Sequence, residues 1–301
     1  MKKQISFSVL FLLSVGMYAQ QDPLYSQYII NPLLINPAYS GITTDLNASV
    51  MYRKQWAGFE GSPVTMNANA HMALSNNRMG AGLIILQDQI GVDQTTEVTF
   101  TYGYHLPVSN EMTLSFGLQG GVINYRSDYS DVKFNPADIK LTNQSEWKPN
   151  LGTGLILRSE KFMVSLSVPK LLSATSTIDQ YSTSLYNQHM YGMAAYLFQL
   201  SYRIKLKPWV LARVVKGAPV SLDYGASIKV DDSYSLGLFT RNFETYGALA
   251  QINLGDHLRF AYVFELPTKK SVGTQYTTHE ITLGVRLSVL NFHDLETIRN
   301  F

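Results

Sequence analysis

The 301-residue sequence contains no cysteine. That excludes a disulfide-stapled scaffold, a zinc site built on thiolates, and acylation of a cysteine beside a signal-peptide cleavage site. An excess of one charge is also missing. Lys and Arg number 24 against 22 Asp and Glu, a net charge of +2, and the basic residues are scattered, so no footprint for nucleic acid is present. Beyond the first 20 residues no apolar run reaches the ~18 to 20 residues that cross a bilayer as a helix. Catalytic signatures are absent as well. His71, His105, His189, His257, His279 and His293 stand singly with no HExxH spacing, and there is neither a GxSxG elbow nor a phosphate-binding glycine loop. The chain is therefore read as non-enzymatic, with no cofactor and no metal. Two possibilities stay open on spacing alone: a Ser, His, Asn hydrolase assembled from separate strands, and calcium held by Asp128, Asp131, Asp138 and Glu146. The simpler reading of those carboxylates is that they solvate a loop.

What is present begins with Lys2 and Lys3 ahead of an apolar run from Val9 to Val15, then small residues around Gly16 and Ala19. This is the layout of a signal peptide, residues 1–19, and it is set apart from the fold. From residue 46 onward, side chains alternate with period two. In 95–108 Val98, Phe100, Tyr102, Tyr104 and Leu106 alternate with Thr95, Glu97, Thr99, Thr101 and His105. In 111–119 Met112, Leu114, Phe116 and Leu118 alternate with Glu111, Thr113, Ser115 and Gln119. Each such segment is a strand with one apolar and one polar face.

The pattern yields about 14 strands: 46–56, 62–74, 80–89, 95–108, 111–119, 150–158, 161–168, 194–206, 209–217, 220–230, 234–241, 245–255, 257–266 and 278–290. Links after even-numbered strands are short and polar, whereas two links after odd-numbered strands, 126–148 and 171–190, reach about 20 residues or more. A soluble β-sandwich has no reason to sort its loops in this way, nor to carry so aromatic an apolar face (Tyr 19, Phe 14, Trp 3). The expected fold is all-β, a transmembrane antiparallel β-barrel over 46–290 with a periplasmic tail at 291–301. The wall would meet outer-membrane lipid, and Tyr102, Tyr104, Phe116, Leu118, Phe260 and Tyr262 are expected to face it.

A barrel of this size is too wide to be filled by its own inward side chains. Residues 20–45 are the candidate filling, because they combine Ile29, Ile30, Leu33, Leu34 and Ile35 with prolines that forbid a long helix or a central strand. Asp22 is placed to cap a turn with Pro23 at its first position, Asn31 before Pro32 to end it, and Asn36, Pro37 and Gly41 to lead the chain into the first strand. The segment is expected to plug or brace the periplasmic mouth. Tyr25, Tyr28, Leu33, Leu34 and Tyr39 would be buried, and Arg53, Asn67, Asn69 and Glu280 on the inner wall would serve as partners for its backbone.

One stretch of this segment resembles a known family. Asp22, Pro23, Tyr25, Ser26, Gln27, Tyr28, Asn31, Pro32, Leu33, Asn36, Pro37, Ala38, Tyr39, Ser40 and Gly41, followed by Tyr52, Arg53, Gln55, Trp56 and Gly58, look like the N-terminal signature of the PorP/SprF family. Leu206, Lys207 and Pro208, then Val215 through Asp223, and His279 with Glu280 resemble it too. The resemblance implies an outer-membrane component of the type IX secretion system, associated with other components at the outer membrane and periplasm. It further implies that the protein receives or anchors a secreted adhesin of the kind used in gliding, through that protein's C-terminal sorting domain. The alternative is an outer-membrane transporter of apolar small molecules with an N-terminal hatch, which would need an apolar ligand pocket.

Two more expectations follow. A hairpin turning at Lys216 to Val220 places Arg213 opposite Asp223 as an ion pair on the lumen wall, which also carries Arg286. Partner binding is expected in the long loops, where Tyr125, Tyr129, Phe134, Trp147, Tyr181 and Tyr186 supply interface anchors.

Overall fold

A computed structural model describes residues 26–74, 77–130, 143–178, 181–215, 218–268 and 275–288. The signal peptide, Asp22, Pro23, Tyr25, Asp131, Phe134, Asp138, Lys216, Gly217 and the tail 291–301 lie outside the described residues. The alternating segments form strands β1 (Leu46–Lys54), β2 (Val64–Leu74), β3 (Met79–Ile90), β4 (Asp93–Pro107), β5 (Thr113–Ser127), β6 (Gln144–Arg158) and β7 (Phe162–Lys170). A hairpin of β8 (Ala174–Ile178) and β9 (Tyr181–Tyr186) precedes β10 (His189–Tyr196) and the short β11 (Phe198–Gln199). Then come β12 (Ile204–Val215), β13 (Ser221–Val230), β14 (Tyr234–Arg241), β15 (Thr245–Leu254), β16 (Leu258–Pro267) and β17 (Thr278–Leu287).

Neighbouring strands pair antiparallel in chain order. The ring closes because β1 pairs with β17 and β10 pairs with both β7 and β12, giving a closed barrel of 14 strands. Closure removes the sheet edges, whose backbone groups would be unsatisfied in lipid. The register decides the faces. On β4 Phe100 is 66% exposed while Thr99 is 0% exposed, and the same parity leaves Tyr102, Tyr104, Phe116, Leu118 and Phe260 on the outside. Tyr262 is half-buried, with its hydroxyl 2.6 Å from His279 Nδ1.

The eighth barrel strand departs from expectation. The sequence reading ran it over 194–206 and took Lys207–Pro208 as the short polar link to the next strand. The strand is instead 189–196, and the chain reverses at Ser201, whose N–H and C=O both bond to Ile204 (3.1 and 3.3 Å). Pro208 sits inside β12. The registers of β10 and β11 on β12 are continuous, so the break at Leu197 falls opposite Lys207–Pro208, where the proline has no N–H to donate. Strands β5 and β6 also run longer than expected, to Ser127 and from Gln144, which shortens the first long loop to 128–143.

Short links (75–78, 108–112, 159–161, 231–233 and 255–257) lie at the end where β1 begins, and 128–143, 171–188 and 268–277 lie at the other. The apolar core is inside the barrel. Tyr28, Leu33, Ile35, Ala38, Tyr39 and Ile42 pack with inward wall residues such as Trp209, Leu211, Phe239, Leu249 and Val263.

Candidate functional site in the lumen

Residues 26–42 cross the lumen as three 3-10 turns, Ser26–Ile29, Pro32–Leu34 and Pro37–Tyr39. Two Asn-Pro pairs build the second and third. The Asn31 side chain accepts from Leu33 N–H (3.2 Å) and that of Asn36 from Ala38 N–H (2.9 Å), each followed by a proline whose fixed φ suits the first helical position. Asn31 thus opens a turn, whereas the sequence reading had it close one. A side-chain oxygen beside two free N–H groups caps whichever turn follows it.

Three sets of contacts hold the segment. At its start Ser26 Oγ donates to Glu265 (2.5 Å), Ser26 N–H to Glu280 (3.1 Å) and the Tyr28 hydroxyl to Asp223 (2.5 Å). These carboxylates are bound in turn by two arginines. Arg53 lies 3.3 Å from Glu265 and 3.6 Å from Glu280, and Arg241 lies 3.1 Å from Asp223 and 3.7 Å from Glu265. Burial of such groups is tolerated only with this degree of pairing. Midway, Asn31 donates to Asn69 Oδ1 (2.6 Å), which also accepts from Ser49. Tyr28 meets Trp209 edge-on at 5.8 Å.

The third set is a cradle of glycines on adjacent strands. A Cβ at Gly80 or Gly103 would lie 2.0 or 2.6 Å from the Ser40 carbonyl oxygen, one at Gly117 2.0 Å from Ala38 N, and one at Gly154 2.0 Å from Asn36 Oδ1. Only glycine leaves room for the turn to approach so closely. Around it, Asn36 Nδ2 donates to the Leu155 and Leu166 carbonyls (3.1 and 3.3 Å), and Ser167 Oγ donates to Ile35 O (2.6 Å). Ser40 Oγ bonds to Thr101 (2.6 Å), Gly41 N–H donates to His71 Nδ1 (3.2 Å) and His105 Nε2 donates to Ser40 O (2.9 Å). The Ser40 carbonyl can only accept, which fixes that His105 tautomer and leaves Nδ1 for the Ser115 hydroxyl at 2.8 Å.

Glu265 and Glu280 sit near the long-loop ends of β16 and β17, and Gly80 near the short-turn end of β3. The segment therefore extends along the bore, where the sequence reading had it docked in or across the periplasmic mouth. Tyr28, Leu33 and Tyr39 are buried and Leu34 is half-buried. On the wall Arg53, Asn67, Asn69, Arg213, Asp223 and Glu280 are buried and Arg286 is half-buried.

One expected pair is corrected. Asp223 lies opposite Leu211, and Arg213 opposite Ser221. The register is shifted by two residues from the expected one, and Ala218 N–H bonds to Val215 O (3.1 Å). The shift preserves parity, so both side chains stay inward, and Asp223 takes Arg241 directly across on β14. Arg241, Glu265, Ser26, His71, His105 and the glycine cradle were not among the expected site residues. Parity alone places Glu265 inward, but nothing in its spacing shows which strand end it shares with Arg53.

Two of the residues expected in the long loops lie in the wall. Tyr125 and Trp147 belong to strands, because β5 and β6 extend past their expected ends; Trp147, 65% exposed, continues the outward face. Tyr186 is buried, its hydroxyl 2.9 Å from His189 Nδ1 and its ring 4.6 Å from Lys170 Nζ. Tyr129 is half-buried at the base of its loop, its N–H on Asn143 Oδ1 (2.7 Å), and Tyr181 lies on β9 with its side chain outside the described part. Asp128 is bound by Arg126 (2.6 Å) and Glu146 by Lys148 (2.7 Å). Hydrogen bonds from the Ser130 hydroxyl and N–H, together with Arg126, hold the Asp128 carboxyl down at about 2.

A closed antiparallel ring with an apolar outer belt, a lumen lined by charged and polar side chains and short turns at one end defines an integral outer-membrane β-barrel. The family model described as type IX secretion system membrane protein PorP/SprF matches residues 17–285, and the chain belongs to that family. No curated protein matches it. Among solved structures, a Pseudomonas aeruginosa FadL homologue is 8% identical, with 84% of this chain and 92% of that chain covered and a TM-score of 0.51. Omp33 of Acinetobacter baumannii is 9% identical over 82% of this chain and 100% of that one, TM-score 0.49. The P. putida toluene transporter TodX is 9% identical over 88% and 94%, TM-score 0.47. At these identities the likeness is one of fold alone.

Proposed function

We propose that this outer-membrane component of the type IX secretion system receives or anchors a secreted, adhesin-like surface protein through that protein's C-terminal sorting domain, at the mouth formed by the long loops. The observation that carries the reading is that the lumen already holds the chain's own residues 26–42, bound at both ends by buried contacts. A folded partner then meets the barrel at a mouth. The long-loop mouth has a hairpin of its own, β8 and β9, between two wall strands, and recognition is commonly built on loops that a rigid scaffold carries. Short turns face the periplasm in barrels of this kind, so the reading takes that hairpin to lie at the cell surface and the lumen segment to act as a plug. Transport of apolar molecules is the less supported reading, because the lumen cavity is lined by Lys207, Arg259 and Arg286 among polar side chains.

Purification of the full chain from outer membranes in mild detergent tests the reading. A secreted polypeptide ending in a sorting domain is expected to co-purify. Its recovery should fall at least about tenfold, a loss of ~1.4 kcal/mol, when Ala174–Tyr186 is replaced by a short turn. Undiminished recovery with that variant, or with a partner lacking its sorting domain, overturns the reading.

A further inference from the structure

The lumen holds two charged clusters built in opposite ways. Near the long loops, Arg53 and Arg241 are matched by Asp223, Glu265 and Glu280 and by the segment itself. Near the short turns, a cavity of about 310 Å³ is lined by Lys207, Lys229, Arg259 and Arg286, which come from four different strands. Lys205 lies directly opposite Lys229, a like-charge juxtaposition that costs stability in a sheet. Asp232 pairs with both, at 3.1 and 2.9 Å. Asp231 is taken by Arg203. Asp256 at the rim is the remaining carboxylate of the lining. Among the described residues no carboxylate lies within ion-pair distance of Lys207, Arg259 or Arg286, although Lys207 is close enough to Lys229 and Arg259, and Arg259 to Arg286, for mutual repulsion.

Lys207 and Arg259, held among like charges with no carboxylate of the described residues beside them, are placed for an anion from outside. We propose that the short-turn mouth of the lumen is a binding site for an acidic peptide segment, an extended run of Asp or Glu supplied by a protein partner. The cavity's size and lining select this occupant. Asn47, Asn69, Gln251 and Asn253 line the same wall with amide groups already hydrogen-bonded within the chain, which leaves the cations to meet the occupant. A volume of about 310 Å³ exceeds what one carboxylate or phosphate fills, while the closed wall admits no acyl chain from the bilayer. Guanidinium groups give carboxylates charge-assisted bonds that a neutral peptide cannot match. The site lies at the opposite mouth from the loops of the proposed function and stands independently of that function.

The test uses the full chain in a non-ionic detergent with a fluorescein-labelled hexaglutamate peptide, read by anisotropy, against hexaglutamine. Hexaglutamate is expected to bind at least about tenfold more tightly, and the Lys207→Gln, Arg259→Gln double variant to lose about tenfold or more of that affinity, with Arg126→Gln at the other mouth unchanged. Arg286→Gln serves as the second variant should the double variant not give the heat-modifiable mobility of a folded barrel. Equal affinity for the two peptides, or full affinity in a folded lumen variant, overturns the proposal. Displacement of hexaglutamate by an equal concentration of inorganic phosphate overturns it in favour of a small-anion site. Displacement by phosphatidylglycerol micelles but not by phosphate overturns it in favour of lipid headgroups.

Discussion

Replacing Gly117 with alanine should release the third turn of the lumen segment without disturbing the wall. The added Cβ would lie 2.0 Å from Ala38 N and 2.4 Å from the Pro37 carbonyl carbon, while ordinary contact starts at 3.4 Å. Both neighbours are backbone, so no rotamer change relieves the clash and the turn must retreat by roughly 1.4 Å. A retreat of that size breaks the bonds of Asn36 to Leu155 and Leu166, of Ser167 to Ile35, and of Ser40 to Thr101 and His105. At about 1 kcal/mol net for each buried bond, the loss is ~3 to 5 kcal/mol, with part of the ~1.5 to 3 kcal/mol from Tyr39 burial added. The ladders are unaffected, because Gly117 pairs in regular extended register with Gly103 and Gly154 and alanine adopts that conformation freely.

Chymotrypsin is the appropriate probe, since the sequence between residues 20 and 52 has no Lys or Arg but offers Tyr28, Leu33, Leu34 and Tyr39. Wild type should resist cleavage there and Gly117→Ala should be cut, as read by mass spectrometry of the released peptides. Gly120→Ala is the control. Its Cβ would meet only Leu151 Cδ2 at 3.5 Å and Asn150 O at 4.0 Å, so the segment should stay protected. Equal resistance of Gly117→Ala and wild type would refute the cradle.

Arg53→Met should destabilise the folded protein by ~3 to 5 kcal/mol in urea titration, because among the described residues it leaves Glu280 with the Ser26 N–H alone as a strong partner; adding Glu280→Gln should restore part of the loss. A double variant no more stable than Arg53→Met would show that Glu280 is not held as an anion by Arg53. Phe100→Arg, midway along β4 and 66% exposed on the lipid face, should cost ~2 to 4 kcal/mol and impair assembly, while Ser49→Glu, which lines the cation-rich cavity, should be tolerated. Thr99 is unsuitable as the tolerant control despite its inward register, since it is fully buried against its neighbours. Equal tolerance at Phe100 and Ser49 would reject the orientation of the wall.

The wall was legible because lipid on one side and a lumen on the other impose a strict period of two that residues such as Phe100 and Thr99 obey. Pro208 misled that reading by resembling a turn, when its missing N–H simply falls at a break in the ladder. The partner of Asp223 was misassigned because hairpin register depends on the turn, and the pairing is shifted by two residues from the one the composition suggested. The segment's apolar residues announced that it must be buried, but its path along the bore is set by contacts with strands up to 254 residues away, which no local pattern records. The inward glycines read only as weak strand positions until the turn they admit is seen beside them.

The claim on which the rest depends is that residues 26–42 close the barrel. Single-channel conductance in a planar bilayer measures this directly, comparing the full chain with a variant lacking residues 26–41 behind an intact signal peptide. The account predicts that wild type is electrically silent and that the deletion, folded and inserted, opens a stable pore. A deletion barrel that is folded yet as silent as wild type would contradict it.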